Sequence, residues 1–303
     1  MQQTAPVRGP LVWRDMDQKT LDDAYDQLVY APNRDLVLAR LAAASVVTCK
    51  TLGAPQRAAY GPSEHERLDI YRTSSPASGG KSAGAPVNVF VHGGAWLRGS
   101  AAETALTAET IVGAGAHAVI IDFINVGQSS GDLMPMAEQV SRAIAWAWSN
   151  AESFGGDRDR FFVSAHSSGA HLAACALSRG WRANNLPPDF CRGALLVGGM
   201  YDLEPVRRSA RSAYVKFTDE MEEALSAQRH IDGINTPLIL AHGTCETPEF
   251  QRQSRDLFAA LKARGKAAEL LVAEGYNHFE LFETMANPYG FVGRARLRQM
   301  GLA

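Results

Sequence analysis

The chain has 303 residues, 46% hydrophobic and 20% charged, with 30 Lys plus Arg against 32 Asp plus Glu for a formal net charge of -2. That balance excludes a nucleic-acid binder relying on bulk positive charge. Its four cysteines, Cys49, Cys175, Cys191 and Cys245, hold no C-x-x-C pair, which excludes a disulfide framework and suits a reduced, cytoplasmic protein.

No apolar run reaches the ~18 residues of a spanning helix. Residues 1–18 carry no apolar signal-peptide core, so neither a signal peptide nor a membrane partner is expected. A chain this long buries about three quarters of its unfolded surface, enough for a core without staples.

In chain order, 13–50 is expected to be helical. Leu21, Tyr25, Leu28 and Val29 follow helical spacing, and a second run from Arg34 carries Leu36, Leu38 and Leu41. Residues 66–72 alternate apolar and polar, the pattern of a half-buried strand. Residues 74–86, rich in Ser, Gly, Ala and Pro, read as a mobile surface loop.

From residue 87 on, continuous apolar runs (87–91, 118–124, 160–164, 193–197, 237–241 and 268–273) predict strands buried on both faces, as in a parallel sheet. Helical stretches separate them. One has the stripe Met136, Val140, Ile144, Ala147 and Trp148, with Pro135 in its first turn. Another carries Phe250, Leu257, Phe258 and Leu261, opened by Thr247 as N-cap and Pro248. Gly113 to Gly115 reads as a helix stop. The alternation predicts a doubly wound α/β sheet. Residues 202–233 break the rhythm. They are expected as an insertion or small cap over the sheet's carboxyl edge, with a helical piece at 219–227.

Four segments carry candidate chemistry. The turn Ala165-His166-Ser167-Ser168-Gly169 joins an apolar strand to an alanine-rich helix. A nucleophilic serine on such a strained turn needs small residues two before and two after it. Ala165 and Gly169 meet that need around Ser167, whereas centring on Ser168 would put His166 and Ala170 there. His92-Gly93-Gly94-Ala95-Trp96 follows a strand. Its glycines expose backbone N–H groups, as an oxyanion hole requires. His278, in a loop after the last strand, is placed as general base. Glu246, after the strand before it, fits the chain order Ser, acid, His. Asp202 is the rival acid, and Glu249 is expected only to favour a helix N-terminus. No metal-ligand spacing or phosphate-binding glycine motif is present, so no cofactor is expected.

Together these segments resemble an α/β-hydrolase, and more narrowly the kynurenine formamidase (arylformamidase) and carboxylesterase branch. The resemblance spans nearly the whole chain, including Leu21-Asp22-Asp23-Ala24-Tyr25, the glycines of 155–156, and Asn277-His278-Phe279. It implies one α/β-hydrolase domain over 1–303: a mostly parallel sheet flanked by helices, with an N-terminal helical segment at 13–50. It implies Ser167 as nucleophile, Glu246 as acid and His278 as base, with oxyanion donors from Gly93, Gly94 and Ser168. Trp96, Phe123 and His166 are candidate substrate contacts. The chain departs from the branch at Ala95, where relatives carry tyrosine, and at Phe123 to Gln128, where they show Tyr-x-Leu-x-Pro.

The expected activity is cleavage of small carboxylic esters or N-acyl and N-formyl amides through an acyl-enzyme. The alternatives are a dedicated formamidase and a non-catalytic ligand-binding protein of the same fold. The expected partner is a small-molecule substrate, not nucleic acid, and a homodimer is left open.

Overall fold

The computed structural model describes residues 9–75 and 84–303. Most of the expected 74–86 loop lies outside them. The chain opens with a small hairpin, β1 (Leu11–Trp13) and β2 (Met16–Asp17), not with helix. Asp17 then caps the helix Gln18–Ala24 by accepting from the Thr20 N–H. Tyr25 ends that helix, and Asp26 caps a new turn, Gln27–Tyr30. The predicted stripe is therefore cut: Leu21 and Tyr25 are buried, while Leu28 and Val29 face solvent. A long helix, Arg34–Leu52, completes the segment, burying Val37 and Leu41 but not Leu36.

The main sheet has eight strands: β3 (Gln56–Ala59), β4 (Arg67–Tyr71), β5 (Ala85–Val91), β6 (His117–Ile121), β7 (Gly156–His166), β8 (Gly193–Val197), β9 (Leu238–Gly243) and β10 (Ala268–Ala273). Their order is β10-β9-β8-β7-β5-β6-β4-β3. Neighbours from β5 to β10 pair in parallel, and β4 is antiparallel to both β3 and β6.

The apolar runs reflect burial on both faces, since strand residues alternate sides, except at 268–273, where β10 lies at the sheet's edge and exposes Glu269 and Val272. Val87, Val89, Val91, Val119, Val163 and Ala165 join the core on one face. Phe90, Ile120, Phe162, Leu195 and Val197 join the core on the other. β4 departs from its half-buried expectation. Leu68, Ile70 and Tyr71 are all buried, and its buried Asp69 is matched by Arg57 of β3 at 2.6 Å.

The helices expected from Pro135 and Pro248 are present as Met134–Ser149 and Pro248–Ala263, the latter capped by the Thr247 hydroxyl. The helix before β6 ends at Gly113, and Gly115 takes a φ of 86°. Residues 202–233 hold two short helices, Glu204–Arg208 and Asp219–Leu225, among 3₁₀ turns. The second packs on the helix after β7, where His171 Nε2–H donates to the Leu225 carbonyl at 2.9 Å. All four cysteines are free; Cys175 and Cys191 fill core space, and Cys245 is exposed. Among the described residues no helix is long and apolar enough to cross a membrane, and no cluster of three metal-ligating side chains occurs.

Candidate active site

β7 ends at His166, and the helix Ser168–Cys175 starts two residues later. Ser167 makes the turn between them at φ 58° and ψ -128°, a left-handed conformation that costs a non-glycine residue about 1–3 kcal/mol. The Ser167 N–H donates to the Val197 carbonyl at 2.8 Å, which anchors the turn to β8. The need for small flanking residues has a direct cause. A Cβ on Gly169 would stand 2.3 Å from the Val91 and His92 carbonyl oxygens, and Ala165 is fully buried.

Ser167 Oγ lies 2.9 Å from His278 Nε2. His278 Nδ1 faces Glu246 Oε1 in a short contact between buried side chains. The other carboxylate oxygen, Glu246 Oε2, accepts from the Gly243 N–H at 2.8 Å. Gly198 makes room for the pair: at φ 54°, a Cβ there would come within 2.6 Å of Glu246 Oε1 and 2.9 Å of His278 Nδ1. His278 opens the helix His278–Glu283, whose N-cap Asn277 forms a capping box with Glu280. Asn277 also donates to Asn33 Oδ1 at 2.8 Å, tying the base to the N-terminal helices.

Burial holds His278 below the ordinary imidazole value, and the Arg211 charge adds to this, so the ring rests neutral and able to accept a proton. Burial pushes the Glu246 carboxyl up, opposed by the Gly243 N–H. The rival Asp202 is not in this chain of bonds. It accepts from the Glu204 N–H and pairs with Arg229 at 3.4 Å. Glu249 does more than favour a helix terminus. It is buried, bidentate with Arg252, and accepts from the Tyr25 hydroxyl at 2.8 Å.

The glycine loop sits directly on the nucleophile. A Cβ on Gly93 would be 2.8 Å from Ser167 Cβ and 2.9 Å from the His166 carbonyl oxygen. Gly94 has φ 123°, and Ala95 and Trp96 follow at 56° and 65°. The N–H groups of Gly93, Gly94 and Ser168 meet no backbone acceptor among the described residues. Ser168 Oγ instead takes the Trp96 N–H at 3.2 Å, and the Trp96 indole donates to His171 Nδ1 at 3.2 Å. The left-handed turn of two non-glycine residues is thus held from the elbow helix.

Trp96, buried, and Phe123, stacked on His92 at 4.4 Å, both border a cavity of about 260 Å³ beside the loop. His166 lies behind the base: its Nε2–H donates to the His278 carbonyl at 3.2 Å, and its ring packs on His278 at 4.4 Å and on Phe282 at 4.6 Å.

Three contributors are absent from the motif reading. Gln27 is buried beside the acid, with Nε2 3.5 Å from Glu246 Oε1 and Oε1 3.4 Å from the Thr247 N–H. Tyr25 links Glu249 to Gln253, whose amide donates to the Tyr25 oxygen at 2.7 Å. Arg211 stacks near the triad from the 202–233 excursion. All three come from segments remote in sequence, and only the resemblance of Leu21 to Tyr25 pointed toward one of them.

A serine, histidine and glutamate so connected, on an α/β-hydrolase sheet with the serine at the β7 elbow, define a serine hydrolase. The family model BD-FAE matches residues 68–185. The chain is 26% identical to a kynurenine formamidase of Danio rerio, over 95% of this chain and 98% of that protein. It is 28% identical to the isoprenylcysteine alpha-carbonyl methylesterase ICME of Arabidopsis thaliana, over 74% of this chain and 56% of that protein. Among solved structures, esterase LipW from Mycobacterium marinum superposes with a TM-score of 0.68 at 18% identity, covering 92% of this chain and 90% of that one. Esterase 2 from Thermogutta terrifontis, with propionate bound, gives a TM-score of 0.64 at 21% identity over 83% and 96% of the two chains.

Proposed function

We propose that this protein hydrolyses small carboxylic esters or N-acyl and N-formyl amides through an acyl-enzyme on Ser167. The observation that carries the reading is the unbroken Ser167–His278–Glu246 chain beneath a glycine loop packed on the nucleophile. Neutral His278 takes the Ser167 hydroxyl proton through Nε2 as Oγ attacks the carbonyl. The Gly93, Gly94 and Ser168 N–H groups receive the oxyanion. Glu246 keeps the Nδ1–H tautomer and stabilises the imidazolium. His278 then protonates the leaving alkoxide or amine. Water, deprotonated by the same ring, releases the acid and regenerates Ser167.

The formamidase reading is favoured by similarity to a kynurenine formamidase along almost the full length of both chains. The experiment is the ratio of kcat/KM for N-formylkynurenine and phenyl acetate, with Ser167→Ala as blank. A ratio well above one assigns the amidase role. A ratio far below one, with the blank dead on both, assigns an esterase. Activity surviving in the blank would overturn the reading.

A further inference from the structure

Among the described residues, one cation beside the triad pairs with no anion. Arg211 lies in the 3₁₀ turn Ala210–Ala213 of the 202–233 excursion and is partly buried. Its guanidinium carbon stands 5.4 Å from the Trp96 ring centre and 6.0 Å from that of Phe250. Both rings belong to the site. Trp96 donates its N–H to Ser168 Oγ, and Phe250 meets His278 edge-on at 5.4 Å. Arg211 Nη1 donates to the Tyr214 hydroxyl at 2.8 Å and Nη2 to the Tyr25 carbonyl at 2.9 Å, both neutral acceptors. Its Nε is buried without a partner.

The other arginines near it in the chain differ. Arg207 pairs with Asp219 and Glu222, Arg208 with Glu204, and Arg229 with Asp202, Glu222 and Glu223. Arg211 has no carboxylate within 4.0 Å among the described residues. Removing a charge from water without a counter-charge is costly, so an unpaired guanidinium here needs a reason. Its field reaches the chemistry, because it lowers both His278 and His171.

We propose that Arg211 binds a carboxylate on the substrate, making this a hydrolase of carboxylate-bearing acyl compounds in preference to neutral ones. The proposal rests on the serine-hydrolase reading. A planar guanidinium with free donors matches a carboxylate, and its aromatic neighbours suit a flat or short acyl frame. A single cation matches a monoanion.

The test compares phenyl acetate with 3- and 4-carboxyphenyl acetate (carboxylate on the leaving side) and with monophenyl succinate (carboxylate on the acyl side). In the wild type, kcat/KM for at least one charged ester should exceed that for phenyl acetate by roughly tenfold or more. Arg211→Gln should cut that ratio about tenfold, chiefly through KM, and Arg211→Lys should keep part of it. In the wild type, benzoate should inhibit phenyl acetate hydrolysis competitively, and benzamide should not. That arm decides alone if the variants fail to fold. No preference for any charged ester, or an unchanged ratio in Arg211→Gln, overturns the proposal while leaving the hydrolase intact. If the wild type turns over no ester and a fluorophosphonate does not label Ser167, the hydrolase reading itself fails.

Discussion

Gly93 and Ser167 touch through the space a side chain would need: a Cβ on Gly93 would fall 2.8 Å from Ser167 Cβ. That contact sets the glycine loop, the proposed oxyanion hole, against the nucleophile. Gly93→Ala must push the loop or the serine away, displacing the N–H donors from the developing charge. Loss of one such donor lowers kcat by about 10²–10³. Steady-state kinetics on phenyl acetate should show that drop with KM little changed. A Gly93→Ala enzyme of normal kcat would rule out this placement of the oxyanion hole.

Two acids competed in the sequence for one role, and the geometry separates them. Glu246 faces His278 Nδ1, while Asp202 pairs with Arg229. Glu246→Gln leaves the imidazole without an anion to hold its tautomer, and kcat should fall by about 10²–10⁴. Asp202→Asn loses a long ion pair outside the triad, worth about 1 kcal/mol or less, and should retain kcat within a few-fold. The reverse ranking would make Asp202 the acid.

Burial lowers His278, His166, His171, His92, His117 and His242 alike. Their unfolded counterparts titrate near 6.5, so below that pH the unfolded chain binds more protons than the folded one. Stability is therefore full above about 6.5 and falls as the pH drops toward the folded values. His171, lowered to about 4, makes the case concrete, with a contribution on the order of 3 kcal/mol lost across that window. Glu246, raised by burial, works in the opposite direction and offsets part of the loss. Tm measured from pH 7 to 5 should fall, and less steeply in His171→Gln. The acid limb of kcat/KM reports proton uptake by the His278–Glu246 couple, in which burial lowers the base and raises the acid, so its position belongs to the pair and not to His278 alone.

What was legible in the sequence is what local sterics and period-2 burial dictate. β5 to β9 are strands with two dry faces, so their apolar runs announced them, whereas β10 carries an apolar run although it stands at the sheet's edge with Glu269 and Val272 exposed. Ser167 was found because an elbow tolerates only small flanking residues, and Gly169 shows why. The N-terminal segment misled because Asp17 and Asp26 restart the helix, so a spacing that fits one long helix fits nothing across the break at Tyr25. β3 was missed because an edge strand with one apolar neighbour carries little periodicity in four residues, Gln56 to Ala59. Gln27, Tyr25 and Arg211 carry no local signature at all. Their roles come from partners some 190 to 230 positions away, and only the folded chain brings these together.

The same distance makes Tyr25 a test of how the N-terminal segment is tied to the helix Pro248–Ala263. Its hydroxyl donates to Glu249 and accepts from Gln253, whose Oε1 in turn takes the Tyr201 and Asp202 N–H groups. Burial, and then the Glu249 charge, raise the Tyr25 hydroxyl well above its ordinary value, so it remains a proton donor throughout the working range. Tyr25→Phe removes that donor with almost no change in volume and leaves a buried carboxylate oxygen and an amide short of a partner. Leaving buried polar groups unpaired costs about 1–3 kcal/mol, which corresponds to a Tm loss of roughly 2–5 °C in a chain of this size. Glu249 still holds Arg252, and the Glu246–His278 pair does not pass through Tyr25. Phenyl acetate turnover at 25 °C should therefore stay within a few-fold of wild type while the melting curve moves down. A Tyr25→Phe protein that melts normally but loses kcat would instead place this hydroxyl in the catalytic chain.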